Sequence, residues 1–188
     1  MIGVLPTTLS VNEVDRQIRS DFRVALNLFE ALKDESLSDL DRAYLTIRTI
    51  YIDEIPDEDF EEAVRRAYWF ISGGDIPKSK PSPVPLIDWK HDESIIFPAV
   101  NKAAGREVRE LPYMHWWSFL GYMGEIGEGL YSTVINIRFK MANGKKLEKY
   151  EREFLNRNKD LIVLRTKEEQ AAIEETEDFL KTLIGEGR

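Results

Sequence analysis

Three residues in the middle of the chain have the spacing of a metal site. Asp88, His91 and Asp92 stand at i, i+3 and i+4, so one helical face would present two carboxylates and an imidazole to a divalent cation. A catalytic metal needs further ligands, and the second of the two histidines, His115, is followed directly by two tryptophans. There is no His-Glu-x-x-His run and no phosphate-cradling glycine loop. A small metal-dependent enzyme therefore stays an alternative. The plainer assignment makes Asp88 a helix N-cap and Asp92 a first-turn or surface acid.

Gly121, Gly124, Gly127 and Gly129 invite a phosphate-loop reading, but that loop needs a strand before it and a Lys-Ser or Lys-Thr pair after it. Trp116–Leu120 instead has helical periodicity. The glycines are expected to strip one helix face so that another element approaches closely, with Gly127–Gly129 as the break. Glu125 and Glu128, three apart, have the residue types for acid–base work in an apolar pocket, yet on a glycine-rich helix end they are expected to be exposed. No serine or threonine sits in a nucleophile elbow. The residues assign no catalytic group, no cofactor and no resident metal.

The densest aromatic segment is Tyr113-Met-His-Trp-Trp-Ser-Phe-Leu120. Adjacent tryptophans point about 100° apart on a helix, so Trp116 and Trp117 both reach a core only if most of the helix is covered. They are expected to be mostly core. Trp116 and Trp117 are also the candidate partner-binding residues, because an exposed tryptophan commonly anchors a partner.

The elements that must hold these groups follow from apolar spacing. Thr7–Val11 and Val14–Ile18 read as two short strands around Asn12-Glu13, a hairpin over about residues 5–19. Phe22, Ala25, Leu26, Phe29 and Leu32 form one helical stripe, capped by Ser20 or Asp21. A second helix starts at Ser38, where Ser38-x-x-Asp41 resembles a capping box, with Leu40, Tyr44, Ile47 and Tyr51 on its stripe. A third follows Pro56, its first turn loaded with Asp57, Glu58 and Asp59, and stops at Gly73-Gly74.

Pro77, Pro81, Pro83 and Pro85 make residues 73–87 a proline-rich connector between two helical halves. An SH3-type ligand is less apt, since no two of these prolines have the PxxP spacing. Asp88–Phe97 is helical in pattern, with Pro98 kinking or ending it. Further helices are expected over Leu130–Lys140 and Leu147–Leu161, and a last one from the capping box Thr166-Lys-Glu-Glu169 to Gly185.

Whole-chain composition fits these elements. With 188 residues, 43% hydrophobic and 32% charged, one ordinary domain over 1–188 is expected: mainly α, a multi-helix bundle with a short N-terminal β-hairpin. A net charge of -8 disfavours nucleic-acid binding. No apolar run is long enough to span a membrane, and Met1–Pro6 lacks the basic flank of a signal peptide. Zero cysteines exclude disulfides and thiolate chemistry and point to reducing cytoplasm.

Several stretches resemble the phage gene-product-fifteen family of long-tailed phages and prophages of Gram-positive bacteria. They are Leu5-Pro6, Ser20-Asp21-Phe22-Arg23, Pro56 with Glu61-Glu62-Ala63, the Asp88…Asp92…Ile95…Phe97 spacing, His115-Trp116-Trp117-x-Phe119, and Ile137-Arg138. The resemblance runs from about Leu5 to about Leu164. Pro98 and Gly121-Tyr-Met-Gly124 depart from the family pattern. The resemblance implies a non-enzymatic, tail-assembly-chaperone-like protein of the host cytoplasm. Its partner would be the tape-measure protein, with the tail-tube protein as a further partner and self-association left open. A structural tail or virion component is the first alternative.

Overall fold

A two-stranded antiparallel hairpin opens the chain, and eight α-helices follow it among the residues the computed structural model describes, 3–75 and 85–164. Strand β1 (Thr8–Val11) pairs with β2 (Val14–Gln17) in the register Thr8↔Gln17 to Val11↔Val14. That register leaves Asn12 and Glu13 as a two-residue turn with φ of 46° and 68°, the primed geometry that matches strand twist. Asparagine tolerates this region. Glu13 adopts it at a cost.

A lone hairpin is marginal in water, and this one is anchored from below. Leu9 and Val11 are buried. Asn12 Nδ2 and Arg16 Nη2 donate to the Asp59 carboxylate at 2.8 and 3.1 Å. Asp59 was expected only as first-turn charge; it is instead a buried acceptor that fastens the turn to the third helix. Beyond β2, the Arg19 and Ile52 amides donate to Ile50 and Gln17 carbonyls at 2.7 and 3.0 Å.

Helix α1 (Phe22–Ala31) is capped by Asp21, whose side chain accepts from the Arg23 amide. It buries Phe22, Ala25 and Leu28, with Leu26, Phe29 and Leu32 half-buried beside them. Helix α2 (Asp39–Ile50) starts with the full capping box of Ser38 and Asp41. Its buried residues Thr46, Ile47 and Ile50 all lie in the second half. Leu40 and Tyr44, expected on the buried stripe, are 58% and 45% exposed because the first turns of α2 extend past the core. Helix α3 (Phe60–Ile71) follows a single 3₁₀ turn over Asp57–Asp59 and ends in the left-handed pair Gly73-Gly74. Pro77, Pro81 and Pro83, and the helix expected from Thr166, lie outside the described residues.

Helix α4 (Glu93–Ala104) begins five residues later than the Asp88–Phe97 pattern suggested, since Asp88–Asp92 forms a separate turn. Pro98 neither starts nor ends it. The helix carries the proline inside and continues to Gly105, which closes it at φ 69°, although interior proline costs about 3 kcal/mol. Helices α5 (Trp116–Gly124), α6 (Leu130–Ala142), α7 (Lys149–Arg157) and α8 (Lys159–Ile162) complete the described chain. The last two correct an expected single helix: Asn158 breaks it at φ -129°, ψ 40°, and its side chain caps the Phe154 carbonyl at 2.9 Å.

The buried side chains form two clusters. The larger joins the hairpin, α1–α5 and the loop before α5, so the helices on either side of residues 76–84 share one core. The smaller comprises Ile95, Val134, Ile137 and Ile162. Helix α4 supplies both, giving Ile96, Phe97 and Val100 to the first and Ile95 to the second. The line between the packing units therefore falls near the glycine-rich segment 124–129.

Those glycines were expected to admit a close neighbour, and they do not. A methyl group built on Gly121, Gly124, Gly127 or Gly129 meets nothing within 4 Å. Gly73 and Gly74 are the opposite case, for there the added carbon lies 3.1 Å from Leu120 and from Trp117. Gly121→Ala and Gly124→Ala are therefore expected to stabilise α5 by ~0.5–1 kcal/mol each. A denaturant midpoint that stays put or falls would show that this face is packed.

Charge reinforces the loop after α4. Glu107 accepts from Arg109 Nε at 2.8 Å and from Asn101 Nδ2 at 2.6 Å. The Arg109 hydrogen bonds pull its carboxyl from 4.5 down to about 2. Glu151 is lowered likewise, chiefly by the hydrogen bond from Lys140. A lowered carboxyl contributes stability that is complete above its unfolded value and lost as pH falls through the folded one. Thermal midpoints should thus drop between pH 4.5 and about 2, and Glu107→Gln should shrink the drop; a profile identical to wild type would refute this.

Candidate functional site

Helices α1 and α5 begin at the same point in space. The Phe22 amide donates to the Met114 carbonyl at 2.9 Å and the Trp116 amide to the Ser20 carbonyl at 2.8 Å, a two-bond bridge between segments far apart in the chain. The residues at its centre, Asp21 and His115, are the two helix N-caps. Asp21 accepts from the Arg23 and Met114 amides at 2.9 and 3.0 Å. One carboxylate thus serves unpaired donors of both segments, and its charge suits the paired positive ends of two helices. The Arg23 guanidinium pairs with Asp21 and donates to the Arg109 and Leu111 carbonyls at 2.8 and 2.7 Å.

His115 is buried, and its bonding fixes its tautomer. Nδ1 accepts from the Trp117 amide at 3.0 Å, so the proton sits on Nε2, which donates to the Pro6 carbonyl at 2.9 Å. Neither nitrogen is left to act as a general base.

The tryptophans diverge as helical geometry requires. Trp116 is 1% exposed and packs with Phe119 and Phe29, ring centroids 5.9 and 5.8 Å away. Trp117 is half-buried against Trp69, Phe70 and Gly74. Both indole N–H groups point at the end of α3, donating to the Ile71 and Phe70 carbonyls at 2.8 Å each. Ser72 and Gly74 amides satisfy the Tyr68 and Trp69 carbonyls, so all four terminal acceptors of α3 are met. Of the two candidate anchors, Trp116 presents no free face, and Trp117 keeps part of one.

The three residues with metal-site spacing are separated by other duties. Asp92 is fully buried, correcting the surface assignment, and makes a two-pronged ion pair with Arg138 at 2.6 and 2.7 Å. Arg138 spends its remaining N–H groups on the Leu86, Leu161 and Ile162 carbonyls, so all five are used. Asp88 accepts from the His91 amide and from Lys33 Nζ. The His91 ring is buried with both nitrogens unpartnered, Nε2 lying 4.0 Å from Asp92. Among the described residues no group of three or more acids and histidines is placed to hold a metal ion. Glu125 and Glu128 are exposed.

Sequence reading missed Arg138 as the partner of Asp92, Asp59 as the anchor of the hairpin, and the Asn101–Glu107–Arg109 cluster. The first two are pairings across 43 to 47 residues of chain, and the third spans a single loop. An isolated arginine inside an otherwise apolar helical stripe, Ile137-Arg138, was the one available signal.

Removing the buried indole should therefore be costly. Trp116→Ala is expected to lose ~3–5 kcal/mol, and Trp117→Ala a smaller ~1–3 kcal/mol. Urea denaturation separates them; equal losses would contradict the division of roles.

Contacts link the stretches that carry the phage-family resemblance. Pro6 meets His115, Ser20–Arg23 meets Met114–Trp117, and Asp92 meets Arg138. The Tyr51 hydroxyl joins Ala63 to the same core through its carbonyl at 2.9 Å. No curated protein and no solved structure matches the chain. The family model described as "Bacteriophage Gp15 protein" matches residues 1–164. The chain belongs to the bacteriophage Gp15 protein family.

Proposed function

We propose that this phage protein is a non-enzymatic tail-assembly chaperone, which keeps the tape-measure protein soluble while tail-tube subunits polymerise around it. The observation that carries the reading is how the family's distinctive residues are used. Asp21, His115, Asp92, Arg138 and both tryptophans are bonded to backbone or to one another. Such residues build a scaffold and leave little for turnover. Apolar side chains meanwhile stand exposed on several elements, among them Leu40, Tyr44, Leu130, Phe139 and Tyr150. Scattered apolar contacts on a body of net charge -8 suit transient grip on a helical client without aggregation. Weak contacts repeated by many copies along one client would supply avidity and still permit displacement.

On this reading the protein works in the host cytoplasm and needs neither cofactor nor nucleic acid. Among the described residues no helix is long and apolar enough to cross a membrane. Co-expression of the cognate tape-measure protein with and without this chain should move the client from pellet to soluble fraction, and the two should co-purify. Equal solubility in both arms, without co-purification, would end the proposal. Abundant protein in purified virions would favour a structural tail component.

A further inference from the structure

A cleft of about 530 Å³ runs between α4 and the segment joining α5 to α6. Its floor is apolar, made by Ile95 and Ala99 on one side and Ile126, Leu130 and Tyr131 on the other. One residue on its wall goes against local preference. Pro98 sits inside α4 and is exposed, and it deprives the Ser94 carbonyl, on the same wall, of its i+4 amide. Gly127 and Gly129 line the opposite lip, where a side chain would meet nothing within 4 Å. A departure of that kind, where packing does not explain it, is expected at a functional surface. Here the proline takes a donor from one wall, and the glycines keep the other lip low.

The lips carry opposite charge. Lys102 stands on the α4 side; Glu125 and Glu128 stand on the glycine side, all three exposed and none in an ion pair among the described residues. An amphipathic helix has the matching form, an apolar stripe with acidic residues along one flank and basic residues along the other. We infer that this cleft seats one such helix of the client, its basic flank toward Glu125 and Glu128 and its acidic flank toward Lys102. The inference rests on the chaperone reading and adds to it a place and a polarity. In the groove beside Trp89, by contrast, the Arg23 and Arg109 charges are already paired with Asp21 and Glu107.

The test uses two fluorescein-labelled helical peptides with the same leucine stripe, one with lysines and glutamates on the flanks as described, the other with the flanks exchanged. Anisotropy should show the first binding the full chain about tenfold more tightly, at low salt and less so at high salt. The triple variant K102E/E125K/E128K should reverse the preference. Ala99→Phe, which fills the floor, should weaken the favoured peptide about tenfold, and circular dichroism checks that each variant folds. Equal binding of both peptides, or no effect of Ala99→Phe in a folded protein, would overturn the cleft. Co-expression separates the two levels. If wild type solubilises the tape-measure protein and Ala99→Phe does so equally well, the cleft is wrong and the chaperone reading stands. If wild type itself leaves the client in the pellet, the chaperone reading fails first.

Discussion

Much of this fold depends on one crossing. Two helices start where Ser20–Phe22 and Met114–Trp116 hydrogen-bond across the molecule. A helix start carries unpaired donors and a positive end, and setting two side by side doubles both problems. Asp21 meets them together, accepting amide protons from both segments while its charge lies between the two ends. His115 closes the other side, holding the start of α5 and the chain before β1 with one neutral ring. The hairpin, α1 and α5 are therefore placed relative to one another by a pair of polar side chains before any apolar packing is counted. Phe22 and Phe119, stacked at 4.6 Å, then fill the space behind.

The same economy governs the end of α3. A helix C-terminus usually turns its last carbonyls to water or to a glycine turn. Here the glycine turn satisfies part of the set and two adjacent indoles supply the rest. This explains why neighbouring tryptophans suit one helix. Their side chains diverge, but each N–H returns to a different carbonyl of the same terminus. Gly73 and Gly74 adopt positive φ there, and they also leave room for Leu120 and Trp117. Substitution at either glycine meets a steric limit and a conformational one together.

Legibility in the sequence followed the range of the interactions. Apolar periodicity located α1 and α3, the Asn143-Gly144 turn marked the end of α6, and capping chemistry located Ser38 and narrowed the α1 cap to Ser20 or Asp21, because those signals lie within a few residues. The hairpin was legible for the same reason. What periodicity missed was where an element leaves the core, as with Leu40 and Tyr44, which share the side of Ile47 but extend beyond their neighbours. It also missed that Asp92 is buried. Three donors at i, i+3 and i+4 describe a face, and nothing in that spacing tells whether the face meets a cation or an arginine 46 residues away.

The Asp92–Arg138 pair holds the second packing unit in place. A buried pair repays its desolvation only with good geometry and every remaining donor satisfied, and Arg138 meets both conditions through its two-pronged contact and three carbonyls. Those carbonyls come from Leu86, just ahead of the turn that leads into α4, and from α8, so one guanidinium gathers the second packing unit onto the first. Four buried apolar side chains make a small core, and the polar clasp specifies its register where apolar area alone would be permissive. With these ions, His115 and the indoles of Trp116 and Trp117 holding helices together, the proposed grip on a client falls to the exposed apolar and charged side chains.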